Sequence, residues 1–322
     1  MADPRALDAA APPRPGVTRY LVHPAAEGER LDRVLAAVSG LSRRQGRSLL
    51  LEGSVWLNGR AVRVQSKTVR AGDVLDVLPT GGGLAPPAPL PPEVSILYED
   101  GWVVAADKPA GVHAQPPREH RELELSLVER VTLQLAAREG HRCDVILFHR
   151  LDRITSGVMV FARQHEATAG LARAWASGEA AKRYLAVVRG DPGSRPRTCT
   201  GPIGPDPAMP GRFHVTRDGK PARTEIRPVA AGTGVSLVEV RPFTGRTHQV
   251  RVHLAHEGFP VAGDALYGDP GGAPRPFLHA WRLALPHPGT GAPLALEAPV
   301  PRDMSAFLAS RGIDAAAIAA LC

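Results

Sequence analysis

The chain is poor in cysteine and shows no pattern among the cysteines it has. Cys143, Cys199 and Cys322 are scattered, with no C-x-x-C pair, which excludes a disulfide framework and a zinc ribbon and fits a reducing cytoplasm. No window approaches the roughly 18 consecutive apolar residues of a membrane helix. The first 16 residues carry Asp3 and Asp8 among Ala and Pro and lack the apolar core of a signal peptide. Gly81, Gly82 and Gly83 are not followed by Gly-Lys-Ser/Thr, so they are not a phosphate-binding loop. Ser156 lies in Thr-Ser-Gly and not in a G-x-S-x-G elbow, so it reads as a turn hydroxyl ordering its loop. His248, His253 and His256 are spaced five and three apart, which does not bring all three to one helix face, and no metal site is expected.

What is present fits a two-domain protein. At 322 residues the chain is about twice a typical domain length. It is 43% hydrophobic and 22% charged, with enough core-forming side chains to fold, while 33 Gly and 32 Pro imply many turns. A net charge of +7 and a pI near 9.8 favour a polyanionic partner without identifying it.

Residues 1–16 read as a tail, with order beginning near Val17. Leu31, Val34, Leu35 and Val38 repeat at helical spacing. Ser42 with Gln45 forms a capping-box signature that Gly53 closes, predicting a second short helix. Asn58-Gly59 between two β-prone runs predicts a hairpin, and Val74–Leu78 a further strand. Arg43, Arg44, Arg47, Arg60, Arg63, Lys67 and Arg70 face only Glu52 in this stretch, so the basic charge is concentrated here. Residues 80–92 are Gly- and Pro-rich and read as a linker across which few contacts are expected.

Beyond it, Ser95–Lys108 reads as a strand pair, Ser126–Glu139 as a helix ended by Gly140, and Val145–Phe148 as a short strand. Strands follow at Tyr184–Val188, Glu225–Val229 and Val235–Val240, with helices near Glu166–Ser177 and Thr247–Glu257. Strands outnumber helices without alternating with them, so an α+β fold with an antiparallel-rich mixed sheet is expected over residues 93–310. Residues 311–322 are a tail or a short helix.

The segment His149-Arg150-Leu151-Asp152-Arg153-Ile154-Thr155-Ser156-Gly157 carries the chemistry. A carboxylate flanked by two arginines suits a nucleophilic or electrostatic role better than that of an acid. Three further blocks follow the same theme: Asp107-Lys108-Pro109-Ala110-Gly111, Lys182-Arg183-Tyr184-Leu185-Ala186-Val187-Val188-Arg189-Gly190, and Arg241-Pro242 through Thr244-Gly245-Arg246-Thr247-His248-Gln249-Val250-Arg251-Val252-His253-Leu254. Together with Gly263-Asp264 and Tyr267-Gly268 they resemble the RluA-type family of RNA pseudouridine synthases. Residues 17–79 resemble the small RNA-binding domain of the ribosomal protein S-four type.

The first resemblance implies an isomerase that moves uracil from a nitrogen–carbon to a carbon–carbon glycosidic bond without a cofactor. It implies Asp152 as the catalytic aspartate, Arg246 as its ion-pair partner, Tyr184 against the target base, and Arg150 in the space left by the flipped nucleotide. Lys108, His248 and Arg251 are expected to contact RNA, as are Arg43, Arg44 and Arg47 of the small domain, through charge-assisted phosphate contacts. Asp264 is expected to fix the final turn with Tyr267. Whether Asp152 attacks the sugar or base, or assists a glycal route, stays open. The partner implied is structured RNA, with large-subunit ribosomal RNA favoured over tRNA by the added domain, acted on by a monomer. A catalytically inactive assembly factor is opposed by the intact Asp152, Tyr184 and Arg246. A hydrolase is opposed by the lack of a second carboxylate or a metal cluster.

Overall fold

The computed structural model describes residues 16–79, 84–117, 124–268 and 272–321. The calls on residues 1–15, on the linker glycines Gly81–Gly83 and on Cys322 lie outside these.

The small domain runs β1 (Thr18–Leu21), α1 (Leu31–Ser39), α2 (Arg43–Glu52), β2 (Val55–Leu57), β3 (Arg60–Ala61) and β4 (Val74–Val77). Its four strands form one sheet in the order β1-β4-β2-β3. Ser42 and Gln45 form the reciprocal capping box that starts α2, and Gly53 ends it at φ 78°. Asn58 and Gly59 both take positive φ, 49° and 75°, as the two-residue turn between β2 and β3 requires. Leu31, Leu35, Leu49 and Leu50 from the helices meet Val55, Leu75 and Val77 from the sheet in one core.

The linker is anchored at both of its ends. Ala85 donates its N–H to the Ser39 carbonyl, Tyr20 Oη donates to the Ala85 carbonyl, and Leu84 packs on the small core. At the other end Gln134 exchanges two hydrogen bonds with the Val94 backbone. Asn58 Oδ1 also accepts from Arg142 N–H at 3.1 Å, so the hairpin tip leans on the larger domain.

The larger domain contains β5 (Ile96–Glu99), β6 (Val103–Lys108), α3 (Leu127–Glu139), β7 (Ile146–Leu147), β8 (Ser156–Ala162), α4 (His165–Ala176), β9 (Ala181–Arg189), β10 (Arg197–Cys199), β11 (Ile203–Pro205), β12 (Phe213–Val215), β13 (Thr224–Gly232), β14 (Val235–Pro242), α5 (Gln249–His256), β15 (Leu278–Pro286), β16 (Pro293–Glu297), α6 (Arg302–Ser310) and α7 (Ala315–Ala319). Ten strands build one sheet, ordered β10-β13-β14-β9-β15-β8-β6-β5 with β16 on β15 and β7 on β8. Every pairing in it is antiparallel except β8 with β15. The α+β, antiparallel-rich mixed sheet is therefore as expected.

The parallel pair lies mid-sheet, and its closeness depends on Gly157. Its φ is 116°, and a Cβ there would sit 2.2 Å from the Ala280 carbonyl oxygen. Only glycine lets β8 begin beside β15, and the loop leading into β8 carries Asp152.

Candidate active site

Asp152 sits in a tight loop whose shape is imposed from behind. Its carbonyl accepts from Thr155 N–H at 3.0 Å. Arg153 and Gly111 exchange backbone and side-chain hydrogen bonds at 2.8 Å, tying this loop to the turn that follows β6. Lys108, 0% exposed, donates to the carbonyls of Pro109, Val112 and Arg153 at 2.9, 2.7 and 3.0 Å. Burial pushes its pKa down to about 7, opposed by the nearby Asp152 charge. Three acceptors nevertheless engage all three protons of an ammonium, so this geometry fits the charged form. The expectation that Lys108 contacts RNA is corrected: it is a buried clamp.

His149 faces inward as well. Its Nε2 accepts from Val160 N–H at 2.9 Å, and burial, with Lys182 nearby, lowers its pKa to about 3, so the ring is neutral. It stacks beside Trp175 of α4, 4.6 Å between centroids. Ser156 is buried behind the loop, 3.0 Å from His279 Nδ1, which fits an ordering role.

The cation facing Asp152 is Arg251. Its Nη1 lies 3.4 Å from Asp152 Oδ2, while Nε and Nη2 bond Asp264 at 2.7 and 2.8 Å. Asp264 is fully buried and also accepts from the N–H groups of Leu266 and Tyr267. The turn role expected of Asp264 is present, and to it is added the anchoring of Arg251.

Two expectations change with this. Arg246 points to the Pro221 carbonyl at 2.9 Å, so the ion-pair partner expected at position 246 stands at 251. Arg251, expected at the RNA surface, is buried. The cause is local: His248 adopts a left-handed conformation (φ 57°), which delays α5 to Gln249 and turns Arg251 inward.

His248 is turned inward too. Its Nδ1 meets Tyr267 Oη at 2.8 Å, its Nε2 is 3.8 Å from Asp152 Oδ2, and its ring packs edge-on against Phe213 and Tyr267. Burial lowers its pKa, against the pull of Asp152. Tyr184, on β9, lines the same cleft, and burial together with the Asp152 charge raises its phenol pKa, so the hydroxyl stays protonated and can donate but not act as a phenolate.

The cleft has a volume of about 440 Å³. Among its described lining residues Asp152 is the only carboxylate, against four cations: Arg150, Lys182, Arg246 and Arg251. Arg150 is exposed at its rim. The one described cluster with metal-ligating side chains, Glu139, His141 and Cys143, lies elsewhere, and Arg138 and Arg163 already engage Glu139.

A family profile described as RNA pseudouridylate synthase matches residues 102–256, and an S4 domain profile matches residues 29–75. An RNA pseudouridine synthase of Chloroflexus aurantiacus, named as uncharacterized, is 39% identical over 303 residues, spanning 89% of this chain and 92% of the relative. The chain belongs to the RNA pseudouridylate synthase family. This synthase is thus an isomerase acting on RNA. It is also 33% identical over 320 residues to the ribosomal large subunit pseudouridine synthase D of Xanthomonas campestris, with 94% of each chain covered. The solved structure of human RNA pseudouridylate synthase domain containing 1 covers 67% of this chain and 87% of its own, at 25% identity and a TM-score of 0.56.

In the small domain of the synthase, Arg43 and Arg44 are exposed on the first turn of α2. Arg47 instead donates twice to Asp32, a buried carboxylate that Arg30 also holds and whose pKa these arginines depress. Sequence reasoning passed over Trp175 of α4, which lines the cleft, and Phe213 of β12, which packs edge-on against His248. No spacing signal marked either.

Proposed function

We propose that this synthase isomerises uridines of large-subunit ribosomal RNA, with Asp152 as the catalytic carboxylate, Arg251 holding it, Tyr184 beside the target base and Arg150 entering the gap the base leaves. The observation that carries this is the single carboxylate in a cationic cleft, set 3.4 Å from a buried guanidinium. One carboxylate suits an intramolecular transfer, in which the base leaves C1′ through N1 and returns through C5, N1 gains a proton and C5 loses one. Hydrolysis of a glycosidic bond would call for a second carboxylate. The cations attract the backbone, and stacking by Arg150 lowers the few-kcal/mol cost of extrusion.

Ribosomal RNA as the target is supported by the S4 domain, with Arg43 and Arg44 free to meet phosphates, and by the name of the Xanthomonas relative. Carbodiimide mapping of pseudouridines in cells with and without the protein tests the target. Loss of a site confined to tRNA refutes it. Asp152→Asn tests the chemistry: release of tritium from uridine carbon 5 should vanish while RNA affinity stays within about 1 kcal/mol. Retained turnover would remove Asp152 from its role.

A further inference from the structure

The exposed large apolar side chains among the described residues include one aromatic, Phe243, at 39% exposure. It stands between Pro242 and Thr244, both of which line the cleft, while its own ring does not. The ring is therefore on the outer side of the rim. Two guanidinium groups, those of Arg223 and Arg241, lie 4.6 Å from its centroid. Arg241 has no carboxylate within ion-pair distance among the described residues, and Arg223 pairs only with the exposed Glu225.

This rim is held firmly from below. Phe243 N–H donates to the Arg223 carbonyl at 3.0 Å, and Arg223 N–H donates to Thr244 Oγ1 at 3.2 Å. Thr244 Oγ1 donates to Gln249 Oε1 at 2.7 Å, while Gln249 Nε2 bonds the Arg223 carbonyl at 3.0 Å. Gln249 opens α5, the helix that carries Arg251, so the rim and the site share one buried amide. On the far side a groove of about 470 Å³ carries Arg183, Arg197, Arg227 and Arg241 against two glutamates, a net positive track.

A flat apolar ring left part-exposed beside two planar cations, one of them without a carboxylate within ion-pair distance among the described residues, gains little from folding. It suits a nucleobase, whose π-face stacks on aromatic and guanidinium planes while its phosphates meet the charge. We infer that Phe243, with Arg223 and Arg241, is a second stacking site, which takes an unpaired base flanking the uridine in the cleft and leads the strand into the arginine-lined groove. The inference rests on the RNA-isomerase reading, but not on which RNA is the target.

The test uses the purified full chain and a fluorescent 12-nucleotide strand of cytidines with one central uridine, read by anisotropy at low salt. Phe243→Ala should weaken binding roughly tenfold, and Phe243→Trp should retain it, as stacking contributions of this type predict. A single abasic nucleotide stepped along the strand should weaken wild-type binding at one flanking position, and there Phe243→Ala should add no further loss. Wild-type affinity in Phe243→Ala, equal loss in the Ala and Trp variants, additive loss at every abasic position, or no binding by the wild type overturns the inference. Mapping of cellular pseudouridines can fail for ribosomal RNA without touching this result, so the two readings fail separately.

Discussion

Arg251→Lys isolates the contact that most separates this site from its sequence-level reading. The guanidinium bridges two carboxylates, with two bonds to Asp264 and one approach of 3.4 Å to Asp152. A lysine keeps the charge but not the fork. Asp264 is fully buried and Asp152 is 22% exposed, so the ammonium should follow Asp264, where an unpaired charge costs more. At 3.4 Å and an effective dielectric of about 20, the lost attraction to Asp152 is ~5 kcal/mol before desolvation and screening. Part exposure of Asp152 reduces this, and a net loss of about 2 kcal/mol of transition-state stabilisation lowers kcat about 30-fold. Single-turnover tritium release from uridine-labelled RNA measures it. Arg251→Met should in addition cost ~3–5 kcal/mol of stability, because it strands a buried carboxylate, and lower Tm by ~6–20 °C. Arg246→Lys, assayed beside it, should move kcat by less than about threefold. Wild-type turnover in Arg251→Lys together with a collapse in Arg246→Lys would return the ion pair to position 246 and refute the argument.

Three other outcomes are expected. Gly157→Ala places a Cβ 2.2 Å from the Ala280 carbonyl at positive φ and should unfold the protein or lower its urea midpoint by the equivalent of ~3 kcal/mol or more; a soluble variant with the wild-type midpoint contradicts the close strand approach. His149 and His279 are buried neutral with pKa values lowered to about 3 and about 4, so between their unfolded value near 6.5 and these values the unfolded chain binds more protons. Stability should therefore be full above about pH 6.5 and fall as pH drops through 6.5 toward 4, by up to ~2.7 kcal/mol per pH unit from the pair; a urea midpoint flat over that window excludes it. In the small domain, Arg43→Ala with Arg44→Ala should flatten the log–log salt dependence of RNA binding by about 1.4–1.8, and adding Arg47→Ala should change it little because Arg47 is committed to Asp32; an equal third step shows that Arg47 meets phosphate.

Local chemistry was legible without coordinates wherever the cause was itself local. Ser42 with Gln45 caps its helix through groups three residues apart. Asn58-Gly59 turns because only such residues accept two successive positive φ values. The segment around Asp152 and the blocks bearing Tyr184 and Arg251 are contiguous strings, so their likeness to a family needed no three-dimensional information. What only the tertiary structure decided is which charges meet. Arg246 and Arg251 are equivalent cations in one string, and a single left-handed residue, His248, sets the helix phase that turns one to Asp152 and leaves the other at the rim. Lys108 and His248 looked like surface cations because a sequence shows charge and not burial, and Arg47, which is exposed, because a sequence does not show that a cation is already committed to a carboxylate. Their partners, the carbonyls of Pro109, Val112 and Arg153, the carboxylate of Asp32 and the hydroxyl of Tyr267, are brought close by chain packing, and it is that packing that turns a general attraction for RNA into a fixed contact within the protein.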